Sequence, residues 1–157
     1  MNQIEDYIIV KNTIPKNICK LIIDECNTKP WVKHQWNNYT TGTNTSEQEK
    51  ELDIMFSTKG QQDKLKLPIA KALDEYQKLC SWDGEKTGST WLTSYSTIRF
   101  NKYEVGTMMR KHYDHIHDIF DGKRKGIPLV SIVGNLNEDY EGSEFHCRGK
   151  EIRLKTS

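Results

Sequence analysis

An α+β fold is predicted, with two helices in the first half backing an antiparallel β half. Three observations predict it. Apolar residues recur at helical spacing over 15–26 and again over 67–80; from Trp91 onward β-branched and aromatic residues run in period-two stretches; and Gly and Asp separate those stretches. A jelly roll is the leading all-β possibility for the second half.

Tyr7-Ile8-Ile9-Val10 reads as a short buried strand. Pro15 then opens a helix that runs to about Cys26, because proline lacks only an N–H that the first turn does not need. Its apolar face is Ile18, Leu21, Ile22 and Cys26. From Trp31 to Gly60 the chain is rich in Asn, Thr, Gly and Glu, so a mobile loop is expected near Asn37–Glu49, with Leu52–Phe56 the strand-like exception. The second helix is expected from Leu67 to Cys80, with Pro68 near its start and Ile69, Leu73, Tyr76 and Cys80 on its buried face. The expected strands are Thr93–Tyr103, Met109–His115, Leu129–Leu136, Glu144–Cys147 and Glu151–Lys155, and Arg148-Gly149 is a tight hairpin turn between the last two.

A chain of 157 residues makes one domain the default, spanning 1–157 with a helical support region over 1–90 and the β half over 91–157. The 23 Lys+Arg and 22 Asp+Glu nearly balance, so charge gives no support for nucleic-acid or anionic-membrane partners. The acidic, polar start Met1–Asp6 lacks the features of a secretory signal, and no apolar run approaches the ~20 residues of a membrane span. A cytoplasmic location is expected. Cys19, Cys26, Cys80 and Cys147 form no C-x-x-C and are expected to be reduced, mostly buried thiols.

The candidate site is His112-Tyr113-Asp114. On a strand, His112 and Asp114 project from one face while Tyr113 points away. An imidazole and a carboxylate so placed make two-thirds of the facial triad that holds non-heme Fe(II). His115 and His117 fall on the opposite face, His34 lies in the irregular region, and His146 is the best internal candidate for a third ligand. A zinc hydrolase on the same ligands lacks an H-E-x-x-H motif.

Arg99-Phe100-Asn101-Lys102-Tyr103-Glu104-Val105-Gly106, then His112-Tyr113-Asp114, then Asn137 to Phe145, resembles the Fe(II)- and 2-oxoglutarate-dependent oxygenases, most closely the prolyl 4-hydroxylase-like branch and its PKHD-type hydroxylases. The resemblance covers roughly 97–157 and implies a double-stranded β-helix of which 91–157 is the first part. It implies His112 and Asp114 as iron ligands and Tyr103 as a hydrogen-bond partner of 2-oxoglutarate. It implies Fe(II), with 2-oxoglutarate and O2 as co-substrates and ascorbate as a candidate reductant. The implied activity is hydroxylation of a peptidyl or free prolyl residue, on a peptide or small-molecule substrate.

This chain departs from the pattern at Gly142-Ser143 and Phe145, and it ends at Ser157 before the distal His and the basic 2-oxoglutarate anchor. The last core strands are therefore expected to be missing, with a second chain as one way to complete the fold. The alternative expectation is an inactive oxygenase-fold remnant or a binding module.

Overall fold

The computed structural model describes residues 8–38, 41–46, 50–79, 95–112, 130–142, 144–147 and 149–152. Two helices and seven short strands are present among them: α1 (Lys16–Asn27), β1 (Val32–Lys33), β2 (Trp36–Asn38), β3 (Thr43–Thr45), β4 (Asp53–Phe56), α2 (Lys59–Leu79), β5 (Arg99–Lys102), β6 (Phe145–Cys147) and β7 (Lys150–Ile152). The class is α+β, as the periodicities predict.

The jelly roll is corrected. The described strands form three small open antiparallel sheets, β1-β4-β5, β2-β3 and β6-β7, rather than two facing sheets of a double-stranded β-helix. Residues 109–112 and 130–136, both expected in strands, form no ladder, and residues 8–10 form none either. An apolar run is only a strand if a neighbour supplies its backbone partners. Tyr7, the remainder of the expected 93–103 strand before residue 95, and Tyr113 to Leu129 lie outside the described residues.

Helix α1 begins as expected, with extended Pro15 at its N-cap and the Pro15 carbonyl accepting from the N–H groups of Ile18 and Cys19 at 2.9 and 3.0 Å. Cys19, Ile22 and Cys26 are buried, whereas Leu21, expected on that face, is 46% exposed. Helix α2 starts eight residues before the expected Leu67. Its start is a capping box: the Gln61 side-chain carbonyl accepts from Thr58 N at 2.9 Å while Thr58 Oγ1 lies 3.4 Å from Gln61 N, which satisfies two orphan donors reciprocally. Pro68 consequently sits inside the helix, not in its first turn, and removes one donor from the ladder.

The core lies between the helices and the three-stranded sheet. Ile22 and Cys26 of α1, Leu65 of α2, Met55 of β4 and Phe100 of β5 form its buried cluster, with Ile18, Trp31, Ile69 and Leu136 among the residues around it. Met55 and Phe100 are directly paired across the sheet, so they share the helix-facing side. Gln61 is fully buried and its amide nitrogen donates to Cys26 Sγ at 3.4 Å, so the α2 cap is also tied to α1. Gln61→Ala is expected to cost about 2 kcal/mol through cap and buried-polar loss, measured as a lower urea midpoint.

The expected loop over Asn37–Glu49 contains a hairpin instead, in register Trp36↔Thr45 and Asn38↔Thr43, with Gly42 at φ 66° in its turn. The last hairpin forms close to its expected place, with Cys147 paired to Lys150 across two residues and Gly149 at φ 83°. Cys19, Cys26 and Cys147 are free thiols, and Cys80 lies outside the described residues. No helix among the described residues is long and apolar enough to cross a membrane.

Candidate functional site

The three-stranded sheet places its residues on two faces by strict alternation. Paired residues share a face, so the register Val32↔Ile54↔Asn101 and Phe56↔Arg99 puts these five on the side away from the helices. Exposure agrees with that assignment: Val32 and Phe56 are each 60% exposed, and Arg99 and Asn101 are exposed. Tyr103 follows β5 in the same parity and is half exposed. Its phenol lies near the Asn101 side chain. Burial raises the phenol above its ordinary range, while the Arg99 charge and the neighbouring Asn101 side chain act against that rise.

Beside this face lies a polar cluster built around Glu51, which is 1% exposed. Trp36 Nε1 donates to both carboxylate oxygens at 3.0 and 3.2 Å, and Arg110 Nη2 donates to one of them at 3.1 Å. The main-chain oxygen of Glu51 accepts from Lys33 Nζ at 3.0 Å. Met108 N donates to Lys50 O at 3.4 Å, which lays the 107–112 segment alongside Glu51 and explains how Arg110 reaches it. The turn that returns the chain is closed by Thr107 N donating to Glu104 O at 3.0 Å, with Gly106 at φ 83°. No atom lies within 4 Å of where a Cβ would stand on Gly106. Gly106→Ala is therefore expected to cost about 1 kcal/mol, from the left-handed backbone alone, read as a small drop in denaturant midpoint.

His34 is buried behind the cluster. Its Nδ1 has no hydrogen-bond partner among the described residues and stands 3.6 Å from Glu51 Oε2. Its ring meets Trp36 edge-on at 4.7 Å, and Trp36 meets His112 at 5.5 Å. The Arg110 guanidinium lies 5.7 Å from the Trp36 ring centre. Burial, then the charges of Arg99 and His112, hold the His34 imidazole below its ordinary value of 6.5 against the pull of Glu51. The unfolded chain therefore takes up the proton first. The stability that His34 contributes is present above pH 6.5 and is lost as pH falls through the lower folded value. Denaturant midpoints measured between pH 7.5 and 5 are expected to fall toward acid, and to fall less in His34→Gln.

Tyr103 is on the open face; His112 is exposed, with Nδ1 2.6 Å from the Arg110 carbonyl oxygen; Asp114 lies outside the described residues. His146 is exposed on β6 opposite Glu151, in a different sheet. No group of three His, Cys, Asp or Glu that could hold a metal ion occurs among the described residues. With that finding and the open sheets, the Fe(II)/2-oxoglutarate dioxygenase assignment is corrected in its fold, its prolyl-hydroxylating activity and its inactive-remnant alternative.

A separate open hollow of about 380 Å³ lies between α1 and the 136–139 segment, lined by Lys16, Cys19, Lys20, Leu136, Glu138 and Asp139 among others. Its two lysines are matched by two acids, and burial raises the Cys19 thiol, which opposes thiolate formation. The chemistry is concentrated on the sheet face instead.

Glu51 and Arg110 are the residues of this cluster that sequence reasoning missed. Glu51 ends a polar run that looks solvated, and only the contact from Arg110, 59 positions later, closes over it.

The chain is similar to α-1,3-galactosidase B from two strains of Bacteroides fragilis, 34% identical over 107 residues in each case. That match covers 67% of this chain and 17% of each relative, so the chain corresponds to a small part of those proteins. No protein-family model matches the chain, and no solved structure matches it significantly.

Proposed function

We propose that this chain is a galactoside-binding module whose sugar site is the open face of the three-stranded sheet. The observation that carries the reading is the joint exposure of Val32, Phe56 and Tyr103 on the face that also presents the Asn101 amide. A pyranose has an apolar C–H face and a rim of hydroxyls. Aromatic surface takes the first, and side-chain amide, phenol and imidazole groups hold the second. The likeness to α-1,3-galactosidase B favours galactose among the sugars.

Binding rather than cleavage is assigned. Glycosidases ordinarily place two carboxyl groups about the scissile bond, one to give a proton and one to act as base or nucleophile. Glu51, the buried acid here, has both oxygens engaged by Trp36 and one by Arg110. Its role is to hold Trp36 and Arg110 in place. The free thiols Cys19, Cys26 and Cys147 suit a reducing compartment, and we assign the module to the cytoplasm.

Calorimetric titration with α-1,3-galactobiose, with maltose as control, tests the reading. Saturable heat with the galactoside alone is expected, and Tyr103→Ala should weaken binding about tenfold by removing the stacking ring. Equal heats from both sugars, or none from either, would contradict it.

A further inference from the structure

Among the described residues of the sheet, the cation on the open face is Arg99. On the opposite face Lys33 is paired with Asp53 at 2.9 Å and Lys102 with Glu104 at 2.6 Å, and outside the strands Arg110 is paired with Glu51 at 3.1 Å. Arg99, by contrast, is exposed and has no ion-pair or hydrogen-bond partner for its guanidinium among the described residues. It stands opposite Phe56 and shares its face with Asn101. Residues 99, 101 and 103 alternate onto one face, so Asn101 stands between Arg99 and Tyr103 along the strand, and the Arg99 charge acts on both His34 and Tyr103. The nearest buried acid, Glu51, is already committed to Trp36 and Arg110.

We infer that the open face takes an acidic sugar, a galacturonide, with the sugar carboxylate seated on Arg99 and the pyranose ring lying toward Tyr103. The inference rests on the galactoside reading and adds the charge that selects among galactosides. A guanidinium presents paired N–H donors that match the two oxygens of a carboxylate, an interaction roughly twice as strong as a neutral hydrogen bond. The Asn101 amide and the Tyr103 phenol follow Arg99 on the same face and offer two further polar groups beside it. A neutral galactoside would leave Arg99 as it is now, whereas a uronate would give the open face's arginine a carboxylate partner of its own.

The experiment is a low-salt calorimetric titration of the whole chain with methyl α-galactoside, methyl α-galacturonide and methyl α-glucuronide, repeated with Arg99→Met. Arg99 is exposed, so the substitution leaves the core untouched. The galacturonide is expected to bind about tenfold tighter than the neutral galactoside, and that ratio should close to parity in Arg99→Met and shrink at high salt. Parity in the unaltered chain, or a preference that survives Arg99→Met, overturns the inference while leaving galactoside binding in place. Equal binding of both uronides without binding of the neutral galactoside keeps the carboxylate seat and overturns the galactoside reading. Absence of binding by all three overturns both.

Discussion

Replacing Glu51 with alanine is expected to lower the stability of the chain by about 3 kcal/mol. The carboxylate is 1% exposed and serves two donors, Trp36 Nε1 and the Arg110 guanidinium. Arg110 is 44% exposed at its side chain and can turn to water when its partner is lost, which limits the cost on that side. Trp36 cannot do the same without leaving its contacts with His34 and His112. Its indole N–H is left without its acceptor, and a cavity opens where the acid stood. Glu51→Gln keeps an acceptor oxygen for Trp36 and should cost about half as much. Urea unfolding followed by Trp fluorescence measures both; a loss below about 1 kcal/mol for Glu51→Ala would mean that the acid organises nothing.

The second large effect is in the core. Ile22 is fully buried against Cys26, Met55, Leu65 and Phe100, where α1, α2 and the sheet meet. Ile22→Ala removes three carbons from that junction and leaves a cavity that rigid helices cannot collapse around. About 3–4 kcal/mol is expected, a large share of the roughly 5–15 kcal/mol that holds an ordinary domain together. Leu21→Ala, one position away and exposed, should fall within about 0.5 kcal/mol. Comparable losses at the two positions would mean that α1 is rotated from the orientation described.

That contrast also shows how far the sequence was legible. Both residues satisfy the same apolar pattern, and periodicity alone places them on one face. Only the position of the partners decides that Ile22 meets Met55 and Phe100 while Leu21 faces water. The start of α2 was legible in principle, because Thr58-Lys59-Gly60-Gln61 is a capping-box sequence. Gly60 disguises it, and Pro68, which usually marks a first turn, draws the boundary too late. The β2-β3 hairpin has no apolar alternation, and its Asn- and Thr-rich strands read as loop. The β6-β7 hairpin was legible because Gly149 supplies the positive φ that a two-residue turn requires.

For the site, local pattern showed part of the arrangement. The H-x-D spacing drew attention to His112, and what that spacing does not show is that its ring meets Trp36 edge-on. Trp36 and Glu51 are 15 positions apart, and Glu51 and Arg110 are 59 apart. Such contacts depend on the paths of β4 and the segment after Gly106, and no short motif encodes them.

The most direct test of the central claim is to map amide and aromatic NMR shifts on the whole chain during titration with α-1,3-galactobiose. Sugar binding at the open sheet face predicts saturable changes centred on Val32, Phe56, Asn101 and Tyr103, with small ones at the far hollow around Lys16 and Leu136. Changes centred on that hollow, or no saturable changes at any concentration, would contradict the assignment of the sheet face as a galactoside site.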